Sequence, residues 1–130
     1  MDKKELEEGT TLNLQFKKAK GLLPVVVQES KTGDVLMLAY TNKEALHYSI
    51  KHKRAAFWSR SRNEVWVKGE TSGNKLFIDE IRVDCDQDAV IYKVKLEGEG
   101  VCHTKNKHST HRKSCFYRSL DFDSEKLTFE

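Results

Sequence analysis

The chain has 130 residues, 33% of them charged, and a net charge of +3; it is long enough to bury one core and too weakly basic to argue for a nucleic-acid partner. Its charged start, Met1-Asp2-Lys3-Lys4-Glu5, is not a signal peptide, and no apolar run approaches a membrane span. Three cysteines without a secretory signal argue against a disulfide framework and for a reducing cytoplasm.

In chain order, residues 1–10 read as a frayed or short helical lead-in. Alternating Leu12, Leu14 and Phe16 predict a short strand or edge segment. Val25-Val26-Val27-Gln28 predicts a strand, Lys31-Thr32-Gly33-Asp34 a turn, and Val35 to Ala39 the hairpin partner. Thr41, with Glu44 three residues on, predicts a capping box and the longest helix, over about 41–53. Ala45, Leu46, Ser49 and Ile50 would form its inner face, leaving His47 and His52 on the surface. Ala55 to Trp58 and Glu64 to Lys68 predict two strands joined by the Arg60-Ser61-Arg62-Asn63 turn, followed by a glycine- and hydroxyl-rich loop over 69–74. Leu76 and Ile78 share one phase while Ile81, Val83 and Cys85 share the other, so a β-bulge is expected near Asp79-Glu80. Val90, Tyr92, Val94 and Leu96 alternate as the next strand, and Gly98 and Gly100 mark a turn. Lys105 to Lys113 holds no apolar residue and reads as a loop, mobile unless pinned; order resumes at Cys115-Phe116-Tyr117, and the acidic end is unassigned. The sum is a single α+β domain over 1–130, predominantly antiparallel β, with about seven strands in a barrel-like arrangement and one main helix. Residues 1–10 and 119–130 are expected to be loosely ordered.

The chemistry concentrates at Asp84-Cys85-Asp86-Gln87-Asp88. In an extended strand Asp84, Asp86 and Asp88 would share one face and Cys85 the other, offering oxygens to a hard cation such as Mg²⁺ or Ca²⁺ on one side and sulfur to zinc on the other. The alternative is a solvated acidic turn beside a small core thiol. An EF-hand is excluded, because Ala89 stands where glycine is needed and Lys95 where the bidentate glutamate belongs. Sixteen residues separate Cys85 from Cys102 and twelve separate Cys102 from Cys115, so no zinc knuckle exists. Converged on one zinc, the three thiolates would leave a fourth corner for water, the open arrangement catalysis needs. His103, beside Cys102, is the candidate acid–base group, although on a strand it would point away from its neighbour. His108 and His111 could be a second zinc pair or ordinary loop histidines. Arg60, Arg62 and Lys68, with Thr71, Ser72 and Gly73, could cradle a phosphate or could simply decorate a hairpin.

Together Trp58-Ser59-Arg60-Ser61-Arg62, Trp66 to Gly73, Asp84 to Asp88, Cys102-His103-Thr104 and Ser114-Cys115-Phe116-Tyr117-Arg118 resemble the phosphoribosyl-AMP cyclohydrolases of histidine biosynthesis, over about Gly33 to Arg118. The resemblance implies an intertwined homodimer with active sites at the subunit interface. It implies Zn²⁺ on Cys85 of one chain and Cys102 and Cys115 of the other, and Mg²⁺ on Asp84, Asp86 and Asp88. The implied reaction, the third step of histidine biosynthesis, hydrolyses the N1–C6 bond of the adenine ring of phosphoribosyl-AMP to give the phosphoribosylformimino aminoimidazole carboxamide ribotide. Partners would then be the phosphorylated nucleotide and a second copy of the chain, with neither nucleic acid nor membrane. The chain departs from the family in a longer link between the second and third cysteines, where 104–114 reads as a basic loop insertion that could act as a lid. Two competing readings are a small β-barrel binding single-stranded nucleic acid through Phe57, Trp58 and Trp66, and a structural zinc protein using a histidine as fourth ligand.

Overall fold

A computed structural model describes residues 1–130. The element order is α1 (Lys3–Glu8), β1 (Leu23–Glu29), β2 (Val35–Thr41), α2 (Lys43–His52), β3 (Ala56–Ser59), β4 (Glu64–Val67), β5 (Lys75–Val83), β6 (Val90–Glu97), β7 (Arg118–Leu120) and β8 (Leu127–Phe129). Eight strands and two helices thus replace the expected seven and one. The strands form a four-stranded sheet of order β2-β1-β6-β5 and two separate hairpins, β3-β4 and β7-β8, so no barrel closes. Every pairing is antiparallel except β1 with β6.

Period-two patterning builds the core. Val25 and Val27 on β1 lie beside Val90 and Tyr92 on β6, and all four are buried on one face of the sheet. Leu36 of β2, Leu76 of β5 and Phe57 of β3 complete the same cluster, with Phe57 against Tyr92 at 6.0 Å between ring centroids. The bulge read from the phase slip in β5 is present: the register shifts between Ile78 and Glu80. It turns Ile78 inward while leaving Asp79 and Glu80 exposed.

The helix is capped one residue later than expected. Asn42, in an extended conformation, accepts the Ala45 N–H at 2.9 Å, whereas Thr41 is still the last residue of β2 and is buried there. Ala45, Leu46 and Ser49 form the buried stripe; Ile50 is 48% exposed and does not belong to it. Lys53 closes the helix in the left-handed conformation, φ 54°. The chain then runs along the outer edge of β5, where Ile78 N–H donates to Lys53 O and Ala55 N–H to Leu76 O. The β3-β4 hairpin therefore hangs from the main sheet at a fixed height.

Three further expectations change. Leu12, Leu14 and Phe16 form no strand; the segment is irregular, Phe16 is buried in the core where the turn closed by Gly21 N–H to Phe16 O folds the ring inward, and Leu14 packs half-buried against it while Leu12 stays exposed. Residues 119–130 form the β7-β8 hairpin, its turn held by Asp121 accepting the Ser124 N–H and hydroxyl. The basic insertion is pinned: Lys105 and His111 bridge, Asn106 Oδ1 accepts from His108 and Thr110 N–H, and Arg112 N–H donates to Thr104 O.

Candidate active site

Asp84 to Asp88 is not an extended strand but the turn joining β5 to β6. Asp84 N–H donates to Ala89 O, Gln87 N–H returns to Asp84 O, and Gln87 takes φ 56°. Asp84 Oδ1 accepts Asp88 N–H at 2.9 Å and Ala89 N–H at 3.2 Å. The curl delivers what alternation was expected to deliver: one oxygen each from Asp84, Asp86 and Asp88 lies within 4.8 Å of the others. Like charges this close cannot all ionise freely. Hydrogen bonds to Asp84 and Asp86 push Asp88 up to about 6, so it retains a proton longest. Asp84 is held below the usual aspartate range; burial opposes this, and the hydrogen bonds from Asp88 and Ala89 outweigh it. Hard oxygens gathered with no neighbouring cation form a donor set suited to Mg²⁺.

The sulfurs are divided. Cys102 and Cys115 interact directly at the base of the pinned loop, where Val101 N–H donates to Lys113 O and Cys102 N–H to Arg112 O. Cys102 Sγ also lies 2.9 Å from Thr104 Oγ1. Burial opposes ionisation of Cys102, but the Thr104 hydrogen bonds, Cys115 and the Arg112 charge hold its thiol below the ordinary value. Cys115 is surface-exposed as a residue, yet its sulfur is packed closely enough that desolvation, joined by Cys102, pushes it up to about 11. That is the behaviour of a thiol pair sharing one proton, an arrangement a soft divalent metal replaces. Cys85 is exposed and opens instead on a cavity of about 310 Å³ with Leu6, Gly9, Thr11 and Val83. No three sulfurs converge within one chain. A zinc site of three cysteines fits these residues only if Cys85 comes from a second copy.

The expected phosphate cradle is partly assembled. Arg62, Trp66, Lys68, Thr71 and Ser72 line a pocket of about 530 Å³, together with Glu64 and Glu70. Gly73 turns the loop with φ 81° but does not line it, and Arg60 lies instead over the Tyr40 ring at 4.6 Å. Lys68 does more than its spacing suggested: half-buried, it senses both Cys115 and Cys102, and burial lowers its pKa despite them. His103 is exposed beside the pair, His108 is exposed, and His111 Nδ1 bonds Cys102 O at 2.9 Å. Sequence reading assigns no separate role to Thr104, which enters only within Cys102-His103-Thr104, or to Arg112, which lies in the basic insertion.

The family model for phosphoribosyl-AMP cyclohydrolase matches residues 37–117. A phosphoribosyl-AMP cyclohydrolase of Hyphomonas neptunium is 54% identical over 78% of this chain and 72% of its own length. One from Archaeoglobus fulgidus is 51% identical over 86% of this chain and 96% of its own, and one from Solibacter usitatus 46% over 89% and 87%. These matches define a hydrolase scaffold. The chain belongs to the phosphoribosyl-AMP cyclohydrolase family, hydrolases of histidine biosynthesis that act on a small phosphorylated nucleotide. Membership favours the enzyme over the two competing readings. No helix is long and apolar enough to cross a membrane.

Proposed function

We propose that the protein hydrolyses the N1–C6 bond of phosphoribosyl-AMP at sites shared between two copies of the chain. Cys102 and Cys115 of one protomer and Cys85 of the other would hold zinc, and Asp84, Asp86 and Asp88 would hold Mg²⁺. The observation that carries this is the division of the sulfurs: a coupled pair beside Lys68, and a lone exposed thiol on a separate cavity. When bound, zinc supplies Lewis acidity toward water at C6.

The chain's own residues supply the rest. Arg62, Lys68, Thr71 and Ser72 present cationic and hydroxyl donors to a phosphate while the Trp66 face lines the same pocket. Water adds its oxygen to C6, which becomes the carboxamide carbon; the N1–C6 bond breaks, and N1 takes a proton. His103, exposed beside the thiol pair, is the candidate donor of that proton. Arg112 and Thr104 favour the thiolate of Cys102, and Lys68 adds a positive charge near both sulfurs. Three unpaired thiols suit a reducing cytoplasm.

Mixing Cys85→Ala protomers with Cys102→Ala protomers tests the shared site. Each variant alone should lack zinc and turnover, and the mixture should regain part of both once subunits exchange. No rescue after demonstrated exchange would place the site within one chain and defeat the proposal.

A further inference from the structure

Gln87 sits inside the acidic turn, yet its side chain serves the other end of the chain. It is buried, 6% exposed, and every hydrogen-bonding group it owns is used. Its Oε1 accepts Asn13 N–H at 2.7 Å, and its Nε2 donates to Leu6 O and Thr11 O, each at 3.1 Å. Its backbone O accepts Gln15 N–H at 2.8 Å while its N–H closes the turn on Asp84 O. Five bonds therefore converge on one residue held at φ 56° between Asp86 and Asp88. The arm it grips, residues 6–15, lies outside the matched family region and buries nothing within α1. Besides these bonds the turn is held by Asp84, through Ala89 O and the Asp88 and Ala89 N–H groups, and the arm by Leu14 packing against the core, so Gln87 is the link between the two.

We infer that Gln87 is a positioning residue coupling the N-terminal arm to the carboxylate triad: docking of the arm sets the spacing of Asp84, Asp86 and Asp88 for a divalent cation. The inference rests on the proposed cation role of the triad. An undocked arm frees Gln87 from its strained conformation, which a non-glycine residue leaves readily when nothing holds it. Asp84 Oδ1 then loses the turn that presents Asp88 N–H and Ala89 N–H to it, and the three oxygens spread. Coupling is reciprocal, so cation binding must tighten the arm by the factor by which arm release weakens the cation.

Mn²⁺ titration followed by electron paramagnetic resonance, and amide hydrogen exchange on the full-length protein with and without Mn²⁺, test this directly. Gln87→Ala should weaken Mn²⁺ by about fivefold or more, the lower end of ordinary site–site coupling. In the wild-type protein Mn²⁺ should slow exchange of the Asn13 and Gln15 amides by a matching factor; in Gln87→Ala those amides should exchange fast whether or not Mn²⁺ is present. Asn13→Pro removes the donor to Oε1 and the surface bond of Asn13 Nδ2 to Met1 Sδ, leaves the turn's own residues intact, and should give a smaller weakening in the same direction. Amides of β1 and β6 should be unchanged in both variants, which separates positioning from unfolding. Wild-type Mn²⁺ affinity in Gln87→Ala, or arm amides indifferent to bound Mn²⁺, would overturn the coupling alone. No Mn²⁺ binding by the wild-type protein would overturn the triad's cation role and the coupling with it.

Discussion

Gly100 is where the two thiols of the pair can be pulled apart without touching either. A Cβ built on it overlaps Arg112 O and lies 2.5 Å from Arg112 C and 2.7 Å from Lys113 Cα. These are backbone atoms that no rotamer change can move. Restoring ordinary carbon–carbon contact needs a displacement of about 1 Å. The hydrogen bonds Val101 N–H to Lys113 O and Cys102 N–H to Arg112 O, both 3.1 Å, span the same gap and would be stretched beyond bonding geometry. Two net bonds at about 1 kcal/mol each, with overpacking of about 1–3 kcal/mol, predict that Gly100→Ala destabilises by about 3–5 kcal/mol. Because these bonds hold the Cys102 limb to the Cys115 limb, zinc content per chain should fall as well. Urea unfolding and metal analysis on the same preparation measure both effects. Wild-type stability with full zinc would show that this close approach does not set the spacing of the pair.

Asp88→Asn removes the carboxylate that hydrogen bonds to Asp84 and Asp86 push up to about 6. A carboxyl whose folded value is raised favours folding only while protonated, so metal-free stability should fall as pH rises through about 6, and this dip should vanish in the variant, as thermal melts from pH 4 to 8 would report. Lys113 bonds Glu29 at 2.6 Å and Asp34 at 2.9 Å and holds both carboxyls below their ordinary 4.5 and 3.8. Lowered carboxyls stabilise above their unfolded values, so the stability gap between wild type and Lys113→Met should be level at neutral pH and close as pH falls through the lowered values; a gap persisting in strong acid would refute the pairing. Ser49 Oγ, buried, accepts Ala56 N–H at 3.0 Å, so Ser49→Ala leaves a buried donor unpaired and should cost about 1–3 kcal/mol by denaturant unfolding.

What was legible in the sequence follows what local patterning encodes. The valine run of Val25 to Gln28 and the alternation of Val90 to Leu96 marked both central strands, and the phase slip at Asp79-Glu80 marked the bulge. Alternation also grouped Asp84, Asp86 and Asp88 correctly for an incorrect reason, since a turn gathers them and a strand does not. Capping misled because Thr41 and Asn42 are both acceptable caps, and only tertiary burial of Thr41 in β2 decides between them. The parallel pairing of β1 with β6, the meeting of Lys68 with the thiols, and the grip of Gln87 on residues 6–15 join distant segments and leave no periodic trace. The C-terminal hairpin escaped notice because β7 and β8 bury no residue and so carry no alternation to read.

The central pairing also imposes an order on biosynthesis. Val25 cannot meet Val90 until most of the polypeptide has left the ribosome, which at about 5–20 residues per second means a delay of roughly 3–13 s. Throughout that interval the β1-β2 hairpin exists with one long side of Leu-Pro-Val-Val-Val-Gln-Glu unzipped, a template for another nascent strand. Expression at lower temperature, or with added chaperone, should therefore raise the soluble yield of this enzyme without altering the finished molecule.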